Sequence, residues 1–302
     1  MRVLVMQEVS EAGLSELRGH ELLRGTDPAG CDAAVCYLID RIDEAFLATS
    51  GLRALATVSV GLDHIDLDAA DRHQIPIAYT PDVLTEATAD LTFALLLAAA
   101  RRLGEAERYL RAGRWTEWSF DLLMGTDVFG KTLAVIGGGR FGRAVARRAE
   151  GFSMDVVMVG RDRGELEAAL RRADFVVVTV PLSEQTRQLI GTDELALMKP
   201  GAILVNSSRG PVVDERALAE ALRSGHLGGA GLDVFEREPQ VEPLLMECDN
   251  AVLVPHIGSA TTETREGMAR LACRGLAQIL RGERPPNLAN PQVWDRWAHR
   301  WV

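Results

Sequence analysis

The sequence predicts an α/β protein built on two parallel β-sheets. Three observations lead there. Short apolar runs alternate with longer amphipathic stretches along almost the whole chain, the signature of repeated βαβ units. The alternation restarts at about residue 132, beyond one long apolar helix. The chain has 302 residues, enough for two domains of about 150 residues that each bury a core of their own.

The elements follow in order. In the first half Arg2–Met6, Leu55–Val60 and Ile75–Tyr79 read as strands, and Ser10–Leu17 and Leu67–His73 as helices. One continuous helical segment is expected from about Thr85 through Arg102 to Ala112. Its apolar residues run nearly all the way round, which predicts burial. In the second half strands are expected at Thr132–Ile136, Val156–Val159, Phe175–Val180, Ile203–Asn206, Gly229–Val234 and Val252–Val254. Helices are expected at Arg140–Glu150, at Gly164–Arg172 and from the N-cap Asp214 to Arg223. A last long helix, Thr262–Leu280, follows a Ser/Thr cluster and ends at Gly282, and the tail Arg284–Pro291 reads as extended.

Composition removes several functional classes. With 33 basic and 43 acidic side chains the formal charge is −10, which argues against nucleic acid or an anionic membrane as partner. Any anionic ligand needs a local pocket. The near-continuous apolar stretch from Leu91 to Ala100 is about half of a membrane span. The N-terminus turns acidic at Glu8 and carries no signal-peptide core. Four cysteines, Cys31, Cys36, Cys248 and Cys273, show neither a CxxC pair nor zinc-ligand spacing. The chain therefore reads as cytoplasmic, with no metal site. Lys131 and Lys199 are the only lysines, and between Arg140 and Arg172 eight arginines face five acids. That local excess is a place for an anion.

The sharpest motif is Gly137-Gly-Gly139-Arg140-Phe141-Gly142, between a predicted strand and a predicted helix. In a GxGxxG turn the first glycine permits the tight turn. The second lets backbone approach a pyrophosphate, and the third lets helix pack on strand. The following helix offers its free N–H groups to phosphate. This context implies a bound dinucleotide. An acid at the end of the second strand would hold the two ribose hydroxyls of NAD, but that position is Gly160, followed by Arg161, Asp162 and Arg163. Asp155 is at the wrong end of the strand and Asp162 lies two residues beyond the usual place. A small residue followed by arginines suits a 2′-phosphate, so NADP(H) is favoured over NAD(H).

Reduction of a 2-keto acid requires a cation for the carboxylate, an acid for the developing alkoxide and a group that tunes that acid. Arg209, Glu238 and His256 stand at or just beyond predicted strand ends, where open α/β sheets bind ligands. A carboxylate beside an imidazole favours its protonated form. Sequence spacing alone does not pair Glu238 with His256.

Taken together, Thr132–Gly142, Asn206–Gly210, Gly231–Pro239 and Pro255–Ser259 resemble the D-isomer-specific 2-hydroxyacid dehydrogenase family over almost the entire chain. Ser59-Val60-Gly61-Leu-Asp-His64, Tyr79–Thr85 and Arg114-Trp115-Thr-Glu-Trp118 are most similar to its glyoxylate/hydroxypyruvate reductases. The resemblance implies two Rossmann-like domains with parallel sheets, the dinucleotide-binding domain (residues 98–268) inserted in a flavodoxin-like substrate domain (1–97 plus 269–302). It implies that Arg209 holds the substrate carboxylate, that His256 is general acid and that Glu238 is its partner. It further implies substrate contacts from Val60, Gly61 and Ser259. Asp233 is implied by the nicotinamide, and Ser207, Pro181 and Gly258 in the cofactor site. Trp118 reaches a neighbouring subunit in similar reductases, which implies a homodimer. Gly138 departs from the family pattern, which usually has an aliphatic residue there. A phosphoglycerate dehydrogenase-like reading needs a further cation, for which Arg41 and Arg53 are the candidates. A non-catalytic NAD(H)-sensing protein is disfavoured by the intact Arg–Glu–His set.

Overall fold

The computed structural model describes Met1–Trp301. The chain divides into two compact units: Met1–Leu84 together with the chain from Ser259 onward, and Thr85–Gly258. The expected seams at 97/98 and 268/269 fall inside helices Thr85–Ala100 and Thr262–Leu280. A helix is rigid along its length and goes whole to the sheet it packs against. The first helix therefore belongs entirely to the second unit, and the second helix to the first.

The first unit holds β1 (Arg2–Val5), β2 (Glu21–Arg24), β3 (Ala33–Cys36), β4 (Ala54–Thr57) and β5 (Ile77–Ala78). Their order is β2-β1-β3-β4-β5, with every pairing parallel. This is the flavodoxin-like order. Alternate residues feed two cores. Val3, Val5, Ala33 and Val35 pack with helix Thr262–Leu280 and with Trp294 and Trp297, while Leu4, Ala34, Cys36 and Leu55 pack on the opposite face. β2 and β3 escape the periodicity. β2 is a mostly exposed edge strand, and β3 is Ala-Ala-Val-Cys, too small to stand out as an apolar run. The tail returns to this sheet, where buried Asn290 accepts from the Ile77 N–H at 2.9 Å.

The second unit holds β6 (Thr132–Ile136), β7 (Asp155–Val159), β8 (Phe175–Val178), β9 (Ile203–Asn206), β10 (Gly229–Leu232) and β11 (Ala251–Leu253). They pair in parallel in the order β11-β10-β9-β8-β6-β7. The strand order reverses between β6 and β8, and such switch points are where α/β sheets bind ligands. The long apolar segment is not one helix. Helix Thr85–Ala100 stops because Arg102 adopts φ +50° in the left-handed region, and a second helix, Leu103–Arg111, sets off from it. Ala89, Phe93, Leu95 and Leu96 of the first helix lie buried in the core against β6, β8 and β9. The second helix buries no residue at all.

Candidate active site

The glycine turn leaves β6 at the switch point. Gly137 has φ +117°, and a Cβ there would lie 2.7 Å from Thr179 Oγ1. A Cβ on Gly142 would lie 1.9 Å from the Gly137 carbonyl oxygen. The helix thus seats directly on the turn, a contact open to glycine alone. Thr179 Oγ1, just beyond β8, reaches the carbonyls of Ile136 (2.9 Å) and Gly137 (3.0 Å) and ties the turn to its neighbour strand. Gly139 is the N-cap of helix Arg140–Glu150, no side chain caps that helix, and nothing lies within 4 Å of where its Cβ would be. Open space beside an uncapped helix start fits a pyrophosphate. Gly138 faces open space as well, so nothing in the turn requires glycine there.

The segment after β7 separates the candidates for the ribose end. Gly160 and Arg161 are exposed, and Arg161 has no hydrogen-bond or ion-pair partner among the described residues. Asp162 is the N-cap of helix Arg163–Arg172, accepting from the Glu165 N–H at 2.9 Å. Arg163 pairs with the buried Glu194 and, at 3.5 Å, with Glu167. Asp155 pairs with Arg172 at the far end of β7. Of the residues the sequence nominated here, Asp162 and Arg163 thus have structural partners, and Arg161 is the unpaired cation.

Arg209, Glu238 and His256 follow β9, β10 and β11, three adjacent parallel strands in which Asn206 pairs with Leu232 and Leu232 with Leu253. That adjacency is what the sequence spacing could not supply. Asn206 shapes the first turn. Its side-chain oxygen accepts from Ser208 N (3.1 Å) and Ser208 Oγ (2.9 Å), and its amide donates to the Arg209 carbonyl (3.0 Å). Arg209 Nη1 donates to the Ser208 carbonyl at 2.8 Å. A Cβ on Gly210 would lie 1.9 Å from the Phe235 carbonyl carbon, so the Arg209 turn and the Glu238 loop touch backbone to backbone. The buried Glu215 pins the same loop by accepting from the N–H groups of Glu236 and, at 3.2 Å, Glu242. Burial, opposed by those two amides, pushes the Glu215 carboxyl up.

His256 Nδ1 lies 2.8 Å from Glu238 Oε2, and Glu238 Oε1 accepts from the Phe235 N–H at 3.0 Å. Burial works to raise the Glu238 carboxyl. The hydrogen bonds from His256 and Phe235, with the charges of His256 and Arg209, outweigh it, and the net direction is down. Glu238 is then a carboxylate, which only accepts, so Nδ1 carries the hydrogen and Nε2 is left for other chemistry. His256 itself has φ +51°, a strained value for a non-glycine residue. Asp233, 1% exposed, holds it there. Its carboxylate accepts from Ile257 N (2.6 Å) and Gly258 N (2.8 Å), and its carbonyl from His256 N (2.9 Å). Burial pushes the Asp233 carboxyl up, against the pull of the two amides and the His256 charge.

The remaining nominated residues scatter. Ser207 is buried, its hydroxyl spent on Thr92 Oγ1, which itself donates to the Thr88 carbonyl. Pro181 is exposed, with its carbonyl taken by Thr186 Oγ1. Ser259 is half-buried at the start of the returning segment. Trp118 is 75% exposed. Arg41 pairs with Asp43, and the Arg53 guanidinium lies over the Trp301 ring. In the first unit the N–H groups of Val60, Gly61 and Leu62 have no protein acceptor among the described residues. Leu62, Thr92 and Glu215 carry no site signal in the sequence, and Asn206 stands there only within the Asn206–Gly210 motif. Their side chains and amides matter only through what the fold sets beside them.

Residues 93–258 match the model of the D-isomer specific 2-hydroxyacid dehydrogenase NAD-binding domain. The chain belongs to that family. It is 45% identical to a glyoxylate reductase of Korarchaeum cryptofilum, with 97% of this chain and 96% of that protein covered. Its fold is similar to that of a Thermus thermophilus protein at TM-score 0.91 and 44% identity, covering 96% of this chain and 100% of that one. It is also similar to an NADPH-dependent glyoxylate/hydroxypyruvate reductase of Sinorhizobium meliloti solved with NADP and malonate, at TM-score 0.86 and 32% identity, covering 96% and 97%.

Replacing Asp233 with Asn tests the clamp on this family member. An amide oxygen can take one of the two N–H groups but its NH2 end repels the other. Turnover is expected to fall about 10²-fold for a displacement near 1 Å, while circular dichroism stays that of the wild type.

Proposed function

We propose that this protein reduces glyoxylate or hydroxypyruvate to the D-2-hydroxy acid, with NADP(H) favoured over NAD(H). The observation that carries the reading is the His256–Glu238 pair, oriented by Asp233 with Nε2 directed to no protein partner among the described residues, where β10 (before Glu238) lies between β11 (before His256) and β9 (before Arg209). A bound reduced nicotinamide supplies the hydride. Arg209 holds the substrate carboxylate and polarises the keto oxygen, and His256 delivers a proton to that oxygen from Nε2. Glu238 stays ionised and stabilises the imidazolium before transfer. In oxidation the same nitrogen takes the proton back. Val60 and Gly61, with the Leu62 amide beside them, are proposed substrate contacts from the first unit.

The cofactor preference rests on Gly160 and the unpaired Arg161, supported by the arginine excess between residues 140 and 172. Self-association is part of the proposal. Leu103, Leu110, Trp115, Trp118, Phe120 and Phe129 are all more than half exposed within one stretch of chain. So large an apolar surface suits a second copy packed against it. Four buried free thiols suit a reducing cytoplasmic compartment.

Steady-state assays with a keto-acid panel, followed by the absorbance of the reduced nicotinamide, test the reading. NADPH oxidation is expected with glyoxylate and hydroxypyruvate, and no oxidation with any keto acid overturns it. His256→Ala is expected to lower kcat by about 10²–10⁴-fold with cofactor affinity nearly unchanged, and wild-type turnover in that variant sinks the assignment. Arg161→Gln is expected to raise the KM for NADPH about tenfold and to leave NADH unaffected. The pH dependence has a definite sign. Glu238 is held below the usual carboxylate range, so its support of His256 is complete at neutral pH. That support is lost only as pH falls through and below the ordinary carboxylate titration.

A further inference from the structure

From the end of β4 into the loop Ser59–His64 runs a partly buried chain of hydrogen bonds that the proposed chemistry does not use. Ser59 Oγ lies 2.8 Å from the Gly61 carbonyl, Thr57 Oγ1 lies 2.7 Å from Ser59 Oγ, and His64 Nε2 lies 3.0 Å from Thr57 Oγ1. Thr57 is 0% and Ser59 3% exposed. The direction of the chain follows from proton counting. A carbonyl only accepts, so the Ser59 hydroxyl donates its one hydrogen to Gly61. Ser59 must then accept from Thr57, which spends the Thr57 hydrogen. His64 Nε2 is therefore the donor to Thr57.

The relay fixes backbone amides. In a trans peptide the N–H points opposite to the preceding carbonyl, and the cis bond found here is at Glu238–Pro239, outside this loop. The Gly61 carbonyl turns inward to Ser59 Oγ, so the Leu62 N–H points away from that hydroxyl. The Ser59 carbonyl accepts from the Thr80 N–H at 3.0 Å, so the Val60 N–H points away from Thr80. Both amides lack a protein acceptor among the described residues. We infer that Thr57, Ser59 and His64 are positioning residues that aim the Val60 and Leu62 N–H groups at the substrate's carboxylate. Successive hydrogen bonds polarise one another, so the relay holds the loop more firmly than three separate contacts. The inference rests on the reading of this loop as a substrate contact.

Two experiments on the full-length protein with NADPH separate the inference from that reading. In 15N-labelled wild-type protein, His64 is expected as the Nε2–H tautomer, and oxamate, an isostere of a small keto acid, is expected to shift the Val60 and Leu62 amide signals. In kinetics, Thr57→Val and Ser59→Ala are expected to raise the keto-acid KM about tenfold, with kcat within about twofold of wild type. Cofactor Kd is expected to stay unchanged, and Thr57→Ser to keep the wild-type KM. Unmoved Val60 and Leu62 signals in the wild type overturn the substrate-contact reading and the relay's role with it. Shifted amides combined with an Nδ1–H tautomer, or with wild-type KM in both variants, overturn the relay alone. The tautomer measurement needs no variant, so a substitution that unfolds the protein leaves the test intact.

Discussion

The carboxylate of Asp233 is the fixed point of the candidate site. It lies just past β10, 1% exposed, and its two oxygens are filled by the amides of Ile257 and Gly258. An ionised carboxylate so deeply buried is costly, and burial does push its titration up. What that cost secures is a backbone the chain would not otherwise adopt. His256 sits at φ +51°, a conformation worth about 1–3 kcal/mol of strain, and two amides and one carbonyl of the 233–258 contact hold it there. Remove the clamp and the imidazole has no reason to stay opposite Glu238.

Two carboxylates a few residues apart are driven in opposite directions by their surroundings. Asp233, deep among backbone amides, is pushed up; Glu238, half-buried beside His256 and within reach of the Arg209 charge, is pulled down. The division gives each a task. The first shapes the turn, and the second, reliably ionised, fixes which nitrogen of His256 carries hydrogen. Glu215 adds a third carboxylate, which pins the loop on which Glu238 rides. A net charge of −10 is compatible with the proposed anion site, because Asp233, Glu215 and Glu238 are spent on backbone amides and on one histidine.

Much of this was legible in the residues. The glycine turn, with its strand before and helix after, fell where the periodicity put it, because Gly137 and Gly142 meet a steric demand that no side chain satisfies. Strands β6 and β9 were predicted to the residue, since each is an apolar run of nearly full burial bounded by turn residues. Other features depend on neighbours distant in sequence. The pairing of Glu238 with His256 comes from the adjacency of β10 and β11, and the binding of Arg163 to Glu194 from a helix packed thirty-one positions on. The break at Arg102 interrupts an apolar pattern that continues across it, so periodicity alone ran the two helices together. The relay from His64 to Gly61 joins hydroxyls that read in sequence as ordinary strand and loop residues.

The central claim is that Asp233, Glu238 and His256 act as one unit whose output is a proton at Nε2. A double-mutant cycle of Glu238→Gln and His256→Ala, read as kcat for keto-acid reduction, tests it most directly. If the carboxylate works through the imidazole, the double variant is no slower than His256→Ala alone, because Glu238 then has nothing left to orient. If the two losses multiply, Glu238 acts on the substrate by a route of its own, and the account is wrong.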